Sequence, residues 1–404
     1  MQATKTPAFR RKVFYIPGFD PFPPRRYREL YRREGAAQAA LSGYGLSVQG
    51  APGEGGAGWQ VAGRFGGLAT EAQIDVLVWS DLVQAAMDRG IVGTWALLPR
   101  TAWTYVASGA LRRLARLRKG PVLAALYPVA MLLAQAGVAL AAGLLIGRHA
   151  AGLHPAAGWA AGLAAAAAVL LALKRLDRRL YAYYLLYDYA YTASAGGAYP
   201  AALAARIGTF AARIRQALAE PWDEVLVVGH SSGAQIAVSA LAEALAAAPA
   251  PRPPLALLTL GQAIPMVSFL PRAQRLRADL HALAQRRDIT WVDVSAPGDG
   301  CSFALCDPVA VSGVAPPGKR WPLVLSAAFT RTLAPATRRR LRWRFFRLHF
   351  QYLCAFDALP GERWDYDYFR LTAGPRTLAA HFGGRPASRQ TIRDNLTPHD
   401  SMAA

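Results

Sequence analysis

Residues 224–248 read EVLVVGHSSGAQIAVSALAEALAAA, and the fold turns on them. The run EVLVV is continuously apolar after its first residue, as expected of a strand covered on both faces. From Ser232 onward the pattern is helical, rich in Ala and Leu. Between them lies Gly229-His230-Ser231-Ser232-Gly233, a G-x-S-x-G spacing. A strand that reverses sharply into a helix strains the residue at the turn. Small residues two before and two after it remove the clashes. Ser231 is then presented at the C-terminal edge of a sheet, and the Ser232 N–H points the same way, where it can stabilise an oxyanion. The same five residues also read as an ordinary Gly-rich turn with a capping serine.

Outward from this turn, strands and helices alternate. LALLTL (255–260) and ITWVDV (289–294) read as strands, and 199–219 and 272–286 as helices. Upstream, VFYI (13–16) is β-like and ends in Pro17-Gly18-Phe19-Asp20-Pro21, followed by a basic helix at 25–41. Strands at 45–49 and 59–65 flank the turn GAPGEGGAG, and IDVLVW (74–79) is a further strand, followed by a linking helix. The expected class is α/β, a mostly parallel sheet flanked by helices.

Two stretches interrupt this pattern. Residues 121–147 and 155–173 carry no charge, and about 20 such residues suffice to cross a bilayer. Arg112, Arg113, Arg116, Arg118 and Lys119 precede the first. Lys174, Arg175, Arg178 and Arg179 follow the second, and the connection holds only Arg148, His149 and His154. Cationic flanks stay on the cytoplasmic side. The expectation is a two-span hairpin in the inner (cytoplasmic) membrane, with both long arms cytoplasmic. A pair of buried core helices is the alternative. Gly143-x-x-x-Gly147 and Gly158-x-x-x-Gly162 offer small-residue contacts between the helices.

The composition narrows the rest. Of 404 residues 53% are hydrophobic and 18% charged, which excludes a disordered chain. Cys301, Cys306 and Cys354 make no disulfide framework and no zinc spacing, so no structural metal and no cofactor are expected. The start MQATKTPAFRRKVFYIPGF has too short an apolar run for a secretory signal. Lys and Arg exceed Asp and Glu by 21 charges. No RNA-binding signature or zinc finger accompanies the excess, so nucleic acid is not the expected partner. Arg331, Arg338, Arg339, Arg340, Arg342, Arg344 and Arg347, interleaved with Trp343, Phe345 and Phe346, suit an anionic membrane surface; a solvated basic helix is the plainer reading. YAYYLLYDYAY (181–191) reads equally as an interfacial or a packed core helix.

VLVVGHSSGAQIA resembles the turn of lipases and esterases, and the chain is similar to bacterial-type, membrane-anchored serine hydrolases of the α/β-hydrolase superfamily. The resemblance implies an α/β-hydrolase fold with an inserted hairpin. Residues 10–100 and 175–380 form the hydrolase domain, 121–173 the hairpin and 381–404 a C-terminal tail. The chain lacks the family's two strands ahead of the oxyanion loop; the 45–65 hairpin is a candidate replacement at the sheet edge. The likeness implies Ser231 as nucleophile and Phe19 and Ser232 as oxyanion donors. Gly229, His230 and Gly233 complete the elbow. The family order of Ser, acid, His implies Asp299 as the acid, with Asp307 the alternative. It implies His349, in RWRFFRLHFQYL, as the base, with Tyr352 packed beside it, rather than His381 or His399. The implied activity is cleavage of lipid or acyl esters through an acyl-enzyme. An acyltransferase on the same residues, or a silent hydrolase-fold scaffold, are the alternatives. The scaffold reading gains if neither Asp299 nor Asp307 reaches His349.

Overall fold

The computed structural model describes residues 8–50, 57–247, 253–357 and 366–403. The chain opens with β1 (Phe9–Ile16) and α1 (Arg25–Ser42), then β2 (Gly45–Gly50), β3 (Gly58–Phe65) and β4 (Leu68–Val76). Helices α2 (Ser80–Met87), α3 (Ile91–Ala107) and α4 (Ala110–Leu117) lead to α5 (Lys119–Ala151) and α6 (Pro155–Arg175). A single turn, α7 (Asp177–Leu180), precedes α8 (Ala182–Ala193) and α9 (Ala201–Leu218). Next come β5 (Glu224–His230), α10 (Gly233–Ala246), β6 (Leu255–Leu260), α11 (Pro265–Ser268), α12 (Gln274–Gln285), β7 (Ile289–Ser295), α13 (Pro308–Val311) and β8 (Leu323–Ser326).

The eight strands form one sheet in the order β2-β3-β4-β1-β5-β6-β7-β8. From β4 to β8 all neighbours are parallel, and β3 runs antiparallel to both of its own. Every residue of β5 and β6 is buried. Alternate side chains serve opposite faces, as strand geometry requires. Val225, Val227 and Leu257 pack with Ile207, Phe210, Ile236 and Leu280, whereas Leu226, Val228 and Leu258 pack with Tyr27, Tyr31 and Tyr352. Buried ion pairs tie β1 to its neighbours, Arg11 to Glu224 at 2.7 Å and Lys12 to Asp75 at 2.8 Å. Such pairs hold charges that cannot be left single in a core.

The structure departs from expectation in several places. The strand expected at 74–79 starts earlier and stops at Val76. A tight turn at Gly66-Gly67, both with positive φ, zips β3 onto β4 from Phe65 and Leu68 onward. Leu77 to Trp79 then leave the sheet. Most of the GAPGEGGAG connection lies outside the described residues. The single linking helix is three helices, and the edge strand β8 was not expected at all. The C-terminal tail packs on the body: Ile392 exchanges backbone hydrogen bonds with Leu305 and Asp307, and Ser401 O accepts from Arg277 Nε at 2.8 Å.

Helices α5 and α6 lie side by side and are both long and apolar enough to cross a membrane. Their apolar windows are 17% and 6% buried, which does not fit a pair of soluble core helices. The four glycines meet at the contact: a Cβ on Gly143 would stand 2.8 Å from Gly162 O, and one on Gly147 3.0 Å from Gly158 O. The tyrosine-rich segment is α8, a packed helix against α3 and α5 with Tyr183, Leu186 and Tyr187 buried.

Candidate active site

The turn after β5 holds Ser231 at φ +57°, in the left-handed region. A residue with a Cβ is strained there by about 1–3 kcal/mol, and such strain persists only where surroundings enforce it. They do. Ser231 N–H donates to Leu260 O at 2.9 Å, and Ser231 O accepts from Ala234 N at 3.1 Å. No side chain fits at the flanking glycines. A Cβ on Gly229 would lie 2.7 Å from Ala234 Cα, and one on Gly233 2.4 Å from the carbonyl oxygens of Ile16 and Pro17.

The loop after β1 lies against this turn. A Cβ on Gly18 would stand 3.0 Å from Ser231 Cβ. Three side chains clamp the loop: Trp79 Nε1 donates to Pro17 O at 2.9 Å, Tyr27 donates its hydroxyl to Asp20 at 2.6 Å, and the Tyr184 hydroxyl donates to Phe19 O. The Phe19 N–H donates to Ser232 Oγ at 2.8 Å. A substrate oxygen that uses this N–H must displace that hydroxyl.

His349 closes the short helix Phe345–His349 and sits over Gly261, where a Cβ would be 3.2 Å from His349 Cε1. Its Nδ1 bonds Asp299 Oδ2 at 2.7 Å. Its Nε2 is buried without a hydrogen-bond partner among the described residues. Ser231 and His349 line the same cavity of about 60 Å³. Asp299 also accepts from Tyr352 Oη and from Cys301 N, each at 2.9 Å. Burial alone would raise the Asp299 carboxyl, but the facing His349 charge and these donors outweigh it and hold its pKa below the ordinary value.

The other candidates lie elsewhere. Asp307 caps α13 through the N–H groups of Val309 and Ala310 and pairs with Lys319 Nζ at 2.6 Å, so it does not reach His349. Asp293, inside β7, accepts from Thr259 Oγ1 at 2.6 Å, and burial pushes it up to about 8. His381 and His399 do not line the cavity. No family model matches the chain, and neither a curated protein nor a solved structure does.

Asp299, Cys301 and His349 each bring one donor atom to within 4.8 Å of the others. Asp299 and His349 are engaged with each other, and burial pushes the Cys301 thiol well up, away from the thiolate a metal requires. His230 bonds His349 O through Nε2 at 3.0 Å and packs its ring 4.8 Å from the His349 ring. Burial, with the neighbouring His349 charge, lowers its pKa to about 3, so it stays neutral and braces His349. Sequence reasoning missed the Tyr352 hydroxyl as a partner of Asp299. It also missed Asp188 and Gln235, which line the same cavity from α8 and α10.

Proposed function

We propose that the protein is a membrane-held serine hydrolase that cleaves carboxylic esters of lipid or acyl type. One observation carries this reading: a strained Ser231 shares a cavity with His349, whose Nε2 has no partner among the described residues and whose Nδ1 is bonded to the buried Asp299. In the proposed mechanism Ser231 Oγ attacks the ester carbonyl and His349 Nε2 takes its proton. Asp299 fixes the imidazole tautomer and stabilises the imidazolium. The Ser232 N–H, with the Phe19 N–H once released from Ser232 Oγ, faces the developing oxyanion. His349 then passes the proton to the departing alcohol. Water, activated by the same imidazole, hydrolyses the acyl-enzyme and releases the acid.

The α/β-hydrolase fold belongs to this proposal. The strand–Ser–helix turn and the acid after β7 support it. So does the edge hairpin β2–β3, which fills the place of two strands the family carries ahead of the oxyanion loop. Asp307, engaged with the α13 N–H groups and Lys319, is not the acid in this reading, and the Asp299–His349 bond supports an enzyme over a silent scaffold.

Two further features support a lipid substrate at a bilayer. An apolar cavity of about 130 Å³ is walled by Val122, Leu126 and Val129 of α5 and shares Tyr189 and Met266 with the Ser231 cavity. Arg338, Arg339, Arg340, Arg342, Arg344 and Arg347 accompany Trp343, 74% exposed, and Phe345, 50% exposed, in the segment that ends at His349. Basic and aromatic side chains of this kind suit an anionic surface. Labelling of the protein in membranes with a fluorophosphonate tests the reading. Labelling that Ser231→Ala abolishes is expected; a folded wild type that never labels, with or without lipid, overturns it.

A further inference from the structure

Asp188 on α8 and Gln235 in the first turn of α10 face each other's space beside the nucleophile. Both line the Ser231 cavity, and both also line a small adjoining cavity of about 10 Å³ walled by Trp79, Tyr191 and Tyr199. Gln235 is 6% exposed, and its Oε1 is buried without a hydrogen-bond partner among the described residues. Asp188, half-buried, lines the same space; burial raises its pKa to about 7, and the His349 charge pulls the other way. Acceptors left unpaired in a protein interior are costly, and native structures satisfy nearly all of them. Here the Gln235 oxygen stands unpartnered among the described residues, beside the Asp188 carboxyl at the junction of the two cavities, in a fold that satisfies polar groups closely around them. Tyr184, for example, bonds Phe19 O, and Tyr199 bonds Gln235 O and Ser239 Oγ.

The polarity of the two sides of the site differs. The cavity along α5 is apolar and can take an acyl chain, whereas the Asp188 side offers carboxyl and amide oxygens. An ester bound with its chain along α5 directs its alcohol part elsewhere. We propose that Asp188 and Gln235 form a subsite for a hydrogen-bond-donating group, a hydroxyl or a primary ammonium, on the alcohol part of the lipid ester that Ser231 attacks. This rests on the reading of Ser231 as the nucleophile. A site built to bond such a group discriminates strongly against the analogue that lacks it, because its own acceptors would stay unpaired.

Non-cleavable ether lipids separate the subsite from the chemistry. Binding of 1-O-hexadecylglycerol, O-hexadecylethanolamine and hexadecyl methyl ether to the full chain in nanodiscs would be measured by calorimetry, corrected for empty nanodiscs. The alcohol or the amine is expected to bind about tenfold or more tightly than the methyl ether. Asp188→Asn and Gln235→Leu, each checked for folding by circular dichroism, are expected to erase most of that preference while methyl ether binding holds. An Asp188→Asn loss confined to the amine assigns an ammonium; a loss shared by both assigns a hydroxyl. Equal binding of all three lipids to the wild type, or a preference intact in both variants, overturns the subsite. Fluorophosphonate labelling run on the same samples reports Ser231 separately. Labelling without head-group preference sinks the subsite alone, and preference without labelling sinks the nucleophile.

Discussion

The turn at Ser231 and the α5–α6 hairpin are both built on glycine, and they use it for opposite ends. At the turn, Gly18, Gly229 and Gly233 make room for backbone that presses on a strained residue, between a fully buried strand and a largely buried helix. In the hairpin, Gly143, Gly147, Gly158 and Gly162 let two helix backbones touch while Leu144, Leu145 and Leu163 point outward, each more than half exposed. Water drives the first region together, because burying its apolar surface is favourable. In the bilayer proposed for the second it cannot, since lipid tails are as apolar as leucine and close van der Waals contact would have to hold the helices. One residue type therefore serves a strained chemical geometry in one place and adhesion between surfaces in the other.

The sharpest break in that comparison is at the turn itself. Ser231→Ala is expected to lower ester turnover by roughly 10⁴-fold or more with the fold intact, read by activity and circular dichroism side by side. Gly233→Val should fail to assemble, since its side chain would meet two carbonyl oxygens, and recovery of folded, labelled protein would contradict the account. Next comes the acid. Asp299→Asn is expected to cost roughly 10³–10⁴-fold in kcat. Asp307→Asn should leave kcat and its pH profile unchanged and lower only the unfolding temperature, because it breaks the Lys319 pair while the amide oxygen can still cap the helix. Comparable losses of kcat in the two would return Asp307 to contention.

A smaller effect is expected in the hairpin. Gly143→Leu or Gly162→Leu should separate the helices and destabilise the protein in nanodiscs by about 1–3 kcal/mol, with fluorophosphonate labelling of the body retained. An unchanged unfolding temperature would show that the glycine contact adds nothing. The mildest prediction concerns pH. Burial holds His230 neutral down to about 3, whereas an unfolded histidine takes a proton near 6.5. The unfolded chain therefore binds more protons between these values, and stability falls as pH drops from about 6.5 towards 3. His230→Gln should flatten that slope, as seen in unfolding temperatures across the range.

The central strands were legible because their apolar runs are continuous and bounded by turn residues. LALLTL became β6 without a shift at either end. β8 was not legible, since four residues after Pro322 carry no period. Ser231 and the glycines around it could be read from spacing, because the turn imposes its demands locally. The choice between Asp299 and Asp307 could not, as both follow β7 and only tertiary placement spends one on a helix cap and brings the other to His349. Asp188 lay hidden in a tyrosine-rich helix whose sequence pattern speaks of packing. Its place beside the Ser231 cavity and its raised pKa are properties of what surrounds it, and no local pattern records that. The tyrosines themselves were ambiguous for the same reason: an interfacial and a core helix need the same side chains.

One contact joins the two regions. A Cβ on Gly120, in the first turn of α5, would stand 3.1 Å from Gly300 Cα, one residue beyond Asp299, and Arg118 Nε bonds Ala304 O at 2.7 Å in the same loop. The proposed anchor and the loop of Asp299 thus meet at one corner. If α5 crosses a bilayer and Asp299 orients His349, as proposed, a bilayer of different thickness that changes the tilt of α5 would shift that loop. Membrane thickness would then act as a dial on proton transfer, readable as kcat across nanodiscs of increasing acyl length.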